Sequence, residues 1–442
     1  MTKKQMAQVK QQVAAENVKF VQLWFTDVLG SLKGLALPVN ELTRALESGM
    51  SFDGSSIQGF ARIEEADMVA RPDPSTFAVL PWEPNGQKVA RMFCDIQLPD
   101  GRDFDGDPRL VLKRNLTRAR ALGYDFLVGT ELEFFYFKGA RTPELLDSGG
   151  YFDLATLDTA QSVRHQTISA LESVGIGVEY SHHEVSASQH EIDLRYTGAL
   201  EMADNVMTAK TLIKEVAQRQ GLHASFMPKP KFGINGSGMH IHMSLFRRGR
   251  NAFYDPKDQA HLSALARSFV AGLLRHAPEL TLVTNQWVNS YKRLTPGFEA
   301  PVYVSWARMN RSALVRIPAY KPGRESSARL EYRAPDPGCN PYLAFAVLLA
   351  AGLAGIEGKY ELPQEASDNI FRLSSDELAL AGIKTLPGDL AEAIALTQAS
   401  DLVQQALGRS VFDYLMRNKQ MEWDDYRTQV TEYEIRRYLP VL

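Results

Sequence analysis

Apolar positions along this chain recur with two periods, and the switches between them mark the elements. In "NVKFVQLWFTDVLGSLKGLALP" two β-prone runs flank an Asp-Val-Leu-Gly-Ser turn, which predicts a hairpin. "NELTRALESG" then predicts a short helix with Asn40 as its N-cap, Leu42, Ala45 and Leu46 as its apolar stripe, and Gly49 as its end. An amphipathic helix precedes the hairpin, and short strands are expected over Thr76–Leu80 and Val89–Ile96. The polar, Gly/Asp-rich "LPDGRDFDGDPR" that follows sets the expected domain boundary, giving domains 1–104 and 105–442.

Beyond the boundary, "PRLVLKRNLTRARALG" reads as a helix and the aromatic-rich "YDFLVGTELEFFYF" as a strand. Helical periodicity returns over Thr159–Val174, over Ala199–Gln218 and in "HLSALARSFVAGLLRH", with further strands between. The run "YLAFAVLLAAGLAGI" is apolar on every face but shorter than the roughly 20 residues that span a bilayer. It predicts a buried helix, capped by Asn340 and opened by Pro341. The pattern describes an α+β chain with a small N-terminal and a large C-terminal domain.

Composition narrows the function. Lys and Arg number 49 against 52 Asp and Glu, a balance without broad pull toward nucleic acid or an anionic membrane. The two cysteines, Cys94 and Cys339, cannot build a disulfide framework, and the first 20 residues lack the apolar core of a signal peptide. Both features suit the cytoplasm.

Candidate chemistry sits on strands. Side chains alternate faces, so Glu131 and Glu133 of "GTELEFF" point the same way, as do His240 and His242 of "NGSGMHIHMSL" and Glu331 and Arg333 of "LEYRAP". In "SHHEVSASQHEIDLR", Glu184 and Glu191 stand seven apart, which a straight strand would send to opposite faces. A bend at Ser186–Ser188 would return both to one side. His182, His183 and His190 read as structural or supporting residues. Should these faces meet, the carboxylates would need cations. Oxygen-dominated ligands without thiolate favour Mg²⁺ or Mn²⁺, and six ligands suit two ions. Lys292, Arg293, Arg308, Arg311, Arg316, Arg329 and Arg333 follow within a short span, a supply of donors for carboxylate and phosphate. Arg308 reads as a surface ion pair.

The ordered segments "FDGSS", "GTELEFF", "HHEV…QHE", "NGSGMHIHMSL", "NSYKRLTPGFEAP", "NRSALVRIP" and "LEYRAPDPGCNPY" resemble glutamine synthetase of the bacterial type I class over nearly the whole chain. The resemblance implies a β-grasp-like N-terminal domain and a catalytic domain built on a curved antiparallel sheet flanked by helices. It also implies a dodecamer of two hexameric rings with active sites between subunits. By position, Glu133, Glu184 and Glu191 would hold one metal, and Glu131, His240 and Glu331 the other. His242, Ser244 and Arg329 would lie near ATP. Asn235, Gly236, Arg293, Arg311 and Arg333 would hold L-glutamate, and Arg316 would face the phosphates. Glu299 would close a flap over the site. Asp53, from the adjacent subunit, would join Tyr151 and Glu184 in an ammonium pocket.

The implied reaction is phosphorylation of the glutamate side chain by ATP, then displacement of phosphate by ammonia. Phe371 stands where many members carry an adenylylated tyrosine, so that modification has no hydroxyl to act on. "GFARIEEADM" resembles the feedback-inhibited subgroup that also binds small transcriptional regulators, with Arg62 as its regulatory candidate; a surface ion pair of Arg62 with Glu64 or Glu65 is an equal alternative. The nearest alternative activity is a ligase of the same fold that joins glutamate to a polyamine or another amine.

Overall fold

The computed structural model describes residues 3–55, 57, 67–154, 156–258, 260–310, 313–319, 323–366, 377–378 and 382–442. Arg62, Arg311 and Phe371 lie outside the described residues.

Helix α1 (Lys3–Ala15) leads into the expected hairpin, β1 (Phe20–Thr26) and β2 (Leu32–Pro38). Helix α2 (Leu42–Ser48) follows, but Asn40 does not cap it: a 3₁₀ turn over Val39–Glu41 runs into the helix and places Glu41 at the N-cap. Gly49 ends α2 at φ 77°, as the pattern required. Strands β3 (Met50–Asp53), β4 (Asp67–Pro72), β5 (Ala78–Val79) and β6 (Val89–Gln97) complete the N-terminal sheet, in the order β2-β1-β6-β4-β3 with β5 on β6. The Thr76–Leu80 strand is shorter than expected because Asp73 caps a 3₁₀ turn over Pro74–Thr76 and takes up its first residue. Val9 and Val13 of α1 pack with Val21, Leu23, Leu46, Met68 and Met92 in a core of this domain's own.

The second sheet is larger. Its strands are β7 (Asp125–Phe137), β8 (Val178–His183), β9 (Gln189–Gly198), β10 (His223–Ser225), β11 (Met239–Arg247), β12 (Arg250–Asn251), β13 (Trp306–Ala307), β14 (Val315–Arg316) and β15 (Leu330–Tyr332). They run β13-β14-β15-β11-β7-β9-β8, with β10 on β7 and β12 on β11. Pairing is antiparallel except at β13–β14. Helices α3 (Pro108–Ala121), α4 (Gln161–Ser173), α5 (Ala199–Arg219), α6 (Ala264–Thr284), α7 (Ser290–Arg293) and α8 (Pro341–Glu357) accompany it, and further helices lie beyond α8, the longest over Arg409–Tyr426. The architecture is the expected α+β one.

The all-apolar run becomes α8, with Asn340 Oδ1 accepting from the Tyr342 and Leu343 N–H groups. No helix of the described residues is long and apolar enough to cross a membrane. Instead α8 is buried against α6, which continues through Pro278 further than its pattern suggested. The two helices touch backbone to backbone. A Cβ on Gly355 would lie 2.1 Å from the Ser268 carbonyl, and one on Gly272 would lie 2.2 Å from that of Ala351. Gly355→Ala is therefore expected to destabilise the protein by about 1–3 kcal/mol through overpacking. Thermal melting checks this, and an unchanged midpoint would contradict the close crossing.

Candidate active site

Register gathers the charges. β7 lies between β11 and β9, so Glu131 stands opposite His240 on one side and Asp193 on the other, and Glu133 stands opposite Glu191. β11 in turn sets His242 opposite Glu331, and β14 sets Arg316 opposite Glu331. Since alternate residues share a face, all of these side chains project from the same side of the sheet. The convergence inferred from four separate segments is the geometry of the fold.

The bend expected at Ser186–Ser188 is also present. The turn between β8 and β9 is closed by Glu184 N–H donating to Gln189 O at 2.8 Å and Gln189 N–H donating to Ser186 O at 3.0 Å. Ser188 takes the left-handed conformation at φ 64°. Glu184 consequently returns to the side of Glu191, with His182 between them: His182 Nε2 is 2.9 Å from Glu184 Oε1 and 3.7 Å from Glu191 Oε1. Sequence reasoning set His182 aside, although its even spacing from Glu184 along the strand carried the signal. On this face two triads have possible ligand atoms within 4.8 Å of one another, Glu131–Glu191–His240 and His182–Glu184–Glu191, with Glu191 common to both.

Burial makes this face electrostatically tense. His240 Nδ1 and His242 Nε2 each lie 2.6 Å from a Glu131 oxygen. Burial raises the Glu131 pKa, but these hydrogen bonds outweigh it and hold the carboxyl well below its ordinary range. Glu331 is fully buried; burial works against its ionisation, yet Arg333 and the neighbouring histidines keep its pKa low. Arg316 grips it from Nε and Nη2, both at 2.5 Å, and Arg333 donates to its other oxygen. Glu191 has no such guard. Burial, reinforced by Asp193, Glu131, Glu133 and Glu184, pushes its pKa well up, and burial also raises Glu133. Asp193, unnoticed in the sequence, is pushed up to about 7 by burial and by Glu131.

These groups border two cavities. The first, about 510 Å³, is lined by Glu133, Tyr151, Glu184, Asn235, Gly236 and Glu299, with Arg293, Arg316 and Arg333 beside them. The second, about 390 Å³, is lined by His242, Ser244 and Arg329, and Glu131 and Tyr180 border both. Arg329 Nε donates to His242 Nδ1 at 3.2 Å. Asn235 Nδ2 donates to Glu299 Oε2 at 2.9 Å, and Glu299 sits in the left-handed region at φ 54°. Lys292 faces elsewhere, donating to Tyr426 Oη at 2.9 Å, and Arg308 forms an exposed ion pair with Glu365.

The Gly-Ser-Gly turn before His240 has a steric reason. Arg293 is almost wholly buried and donates to the Ala334 carbonyl at 2.6 Å. A Cβ on Gly238 would stand 2.5 Å from its Nη2, and one on Gly236 would stand 2.2 Å from the Pro228 carbonyl. Gly238 N–H and Gln189 Nε2 also hold Glu133 Oε2, at 2.7 and 3.1 Å. Asp53 also lies apart, solvent-exposed at the end of β3, with its pKa lowered by the Ser55 N–H.

The donor set of carboxylates and imidazoles without thiolate fits hard divalent ions. In metal-free protein, Asp193 binds a proton in the folded state that the unfolded chain releases near 3.8, so stability falls as pH rises from there to about 7. Glu191 acts in the same direction. A divalent ion reverses this loss because it binds the ionised form. The rise in Tm on adding Mg²⁺ or Mn²⁺ should therefore grow between about pH 5 and pH 8. Melting curves with metal and with chelator check this, and a shift that shrinks with pH would contradict it.

A family model for the glutamine synthetase catalytic domain matches residues 105–438, and one for the glutamine synthetase beta-Grasp domain matches residues 17–99. A glutamine synthetase of Mycolicibacterium smegmatis is 54% identical over 429 residues, covering 96% of each chain. A Plasmodium falciparum glutamine synthetase solved by cryo-EM superposes with a TM-score of 0.90 at 27% identity over 98% of each chain. A GmaS/ADP complex superposes with a TM-score of 0.87 at 31% identity, over 98% of this chain and 99% of that one. With the sheet, the carboxylate face and these likenesses in agreement, the chain belongs to the glutamine synthetase family.

Proposed function

We propose that the two cavities bind the substrates of ATP-dependent glutamine synthesis from L-glutamate and ammonia, with the phosphoryl group passing between them beside Glu131. The observation that carries this reading is the single sheet face on which Glu131, Glu133, Glu191, His240 and Glu331 meet, with Glu184 folded back beside them. Glu133, Glu184 and Glu191 would hold one divalent ion, and Glu131, His240 and Glu331 the other. Glu191 belongs to both triads on this face, which supports a pair of ions rather than one. Bound there, Mg²⁺ or Mn²⁺ neutralises charge on the transferring phosphoryl group.

The chain's own residues do the rest. His242, Ser244 and Arg329 bind ATP from the second cavity. Asn235, Gly236, Arg293, Arg311 and Arg333 hold glutamate in the first, so that its side-chain carboxylate attacks the terminal phosphoryl group and forms γ-glutamyl phosphate. Arg316 stabilises the developing charge. Glu299, tethered by Asn235 in a left-handed backbone, is poised on a flap that excludes water from this intermediate. Asp53 takes a proton from ammonium held with Tyr151 and Glu184, and ammonia then displaces phosphate.

Asp53 reaches a site only in a neighbouring subunit on this reading. Its exposure on the N-terminal sheet supports that, as do the uncovered apolar side chains Ile435, Leu439 and Leu442 near the C-terminus. A dodecamer of two hexameric rings accommodates both. Buried thiols at Cys94 and Cys339 suit a cytoplasmic enzyme. Feedback inhibition and a small transcriptional regulator acting through Arg62 complete the proposal.

Glutamine formation and ADP release with ATP and Mg²⁺ test it. Glu331→Ala should lower phosphoryl transfer by at least about 100-fold. Asp53→Ala should lower turnover with ammonium by about 100-fold while sparing hydroxylamine, a nucleophile largely neutral at pH 7. Normal turnover in both variants would reject these roles, and a glutamate adduct formed with putrescine in preference to ammonium would favour the amine ligase.

A further inference from the structure

Behind the hairpin that carries Glu184 and Glu191, the opposite faces of β8 and β9 bring His183 and His190 together, and Asp147 reaches them from the preceding loop. Their possible ligand atoms lie within 4.8 Å of one another, close enough for a cation. The hydrogen bonds favour a different use. Arg164 grips Asp158 with both terminal nitrogens and donates from Nη1 to His190 Nδ1 at 2.9 Å. A guanidinium only donates, so His190 Nδ1 bears the lone pair and Nε2 the hydrogen, leaving nothing at Nε2 to offer a metal. His183 is committed as well: Nδ1 donates to the Glu184 carbonyl at 2.7 Å, and Nε2 faces Asp147 Oδ1 at 3.1 Å.

The cluster instead joins two segments. Asp147 Oδ1 also accepts from the Ser188 N–H at 2.7 Å and from the Gly149 N–H at 3.3 Å. Ser188 Oγ accepts in return from the Leu146 and Asp147 N–H groups, at 2.6 and 3.2 Å. The Phe152 N–H adds a further tie, to the His183 carbonyl at 3.1 Å. Gly149 makes the approach possible, since a Cβ there would stand 2.7 Å from His183 Nε2. One of the joined segments carries Tyr151 and the other carries Glu184, and both side chains line the first cavity.

We propose that Asp147 is a positioning residue for the ammonia site. Through His183 and Ser188 it fixes the separation of Tyr151 from Glu184, and so sets the affinity for ammonium without touching it. This rests on the reading of Tyr151 and Glu184 as part of an ammonium pocket.

Two variants of the metal-loaded enzyme test it. Asp147→Asn keeps the shape and an acceptor for the Ser188 N–H but removes the charge facing His183. Ser188→Ala removes the return bonds without altering any charge, and carries the test if Asp147→Asn fails to fold. The KM for ammonium should rise about tenfold in Asp147→Asn and about threefold in Ser188→Ala, with the KM values for ATP and glutamate within about twofold of the parent. An unchanged ammonium KM, or equal losses toward all three substrates, overturns the proposal. Glu184→Gln measured alongside separates the two readings. A raised ammonium KM there but not in Asp147→Asn sinks only the positioning role; no rise in either sinks the pocket itself. Equilibrium dialysis with Mn²⁺ provides a last check, because an ion lost specifically in Asp147→Asn would make the cluster a metal site and overturn the proposal.

Discussion

Carboxylates crowded on one face of a sheet are the constraint around which the large domain is organised. Glu131, Glu133, Glu191, Asp193 and Glu331 are held where little water reaches them, and mutual repulsion would scatter them without compensation. Part of the compensation is permanent: two imidazoles on Glu131, and two guanidinium groups on Glu331. Among the described residues no guanidinium pairs with Glu191 or Asp193, and burial beside other carboxylates raises both pKa values. The face is thus half neutralised by the protein and built to receive further positive charge. That incompleteness is what makes it a site rather than a buried salt-bridge network.

Holding such a face in register requires stiffness behind it. Arg293 supplies some, threaded between the Gly236–Gly238 turn and the carbonyls of Arg333, Ala334 and Pro335. It ties the segment leading into β11 to the segment leaving β15, the two strands that bear His240, His242 and Glu331. Gln189 works from the other side, joining Glu133 to the Gly236 carbonyl. Rigid polar bridges of this kind keep ligand oxygens at fixed separations, which binding of a small ion demands.

The two domains are joined by charge as well as by packing. Arg109 of α3 forks onto Asp204 of α5 and also donates to Asp73 and Asp95 of the N-terminal domain, while the Tyr342 hydroxyl donates to Asp204 at 2.7 Å. Asn340, the cap of α8, donates from Nδ2 to the carbonyls of Asp27 and Val28 in the N-terminal hairpin. The small domain is thereby oriented by the same helices that back the catalytic sheet.

Much of this was legible in the residues themselves. Period-2 alternation assigned Glu131 with Glu133, His240 with His242, and Glu331 with Arg333 to common faces, because side-chain direction on a strand is a local property. Local rules likewise set Gly49, Asn340 and the buried character of α8. They failed at Asn40, where a 3₁₀ turn continuous with α2 moved the cap, and at Thr76, where the Asp73 side chain favoured a turn over a strand. His182, Asp193 and Gln189 stayed hidden because their importance depends on which strands are neighbours. Strand order is decided by long-range packing, and no spacing within one segment records it. The sequence by itself determined which side chains share a strand face; only the tertiary structure decided which faces meet, because hydrogen-bond register between distant segments is set by the whole core at once.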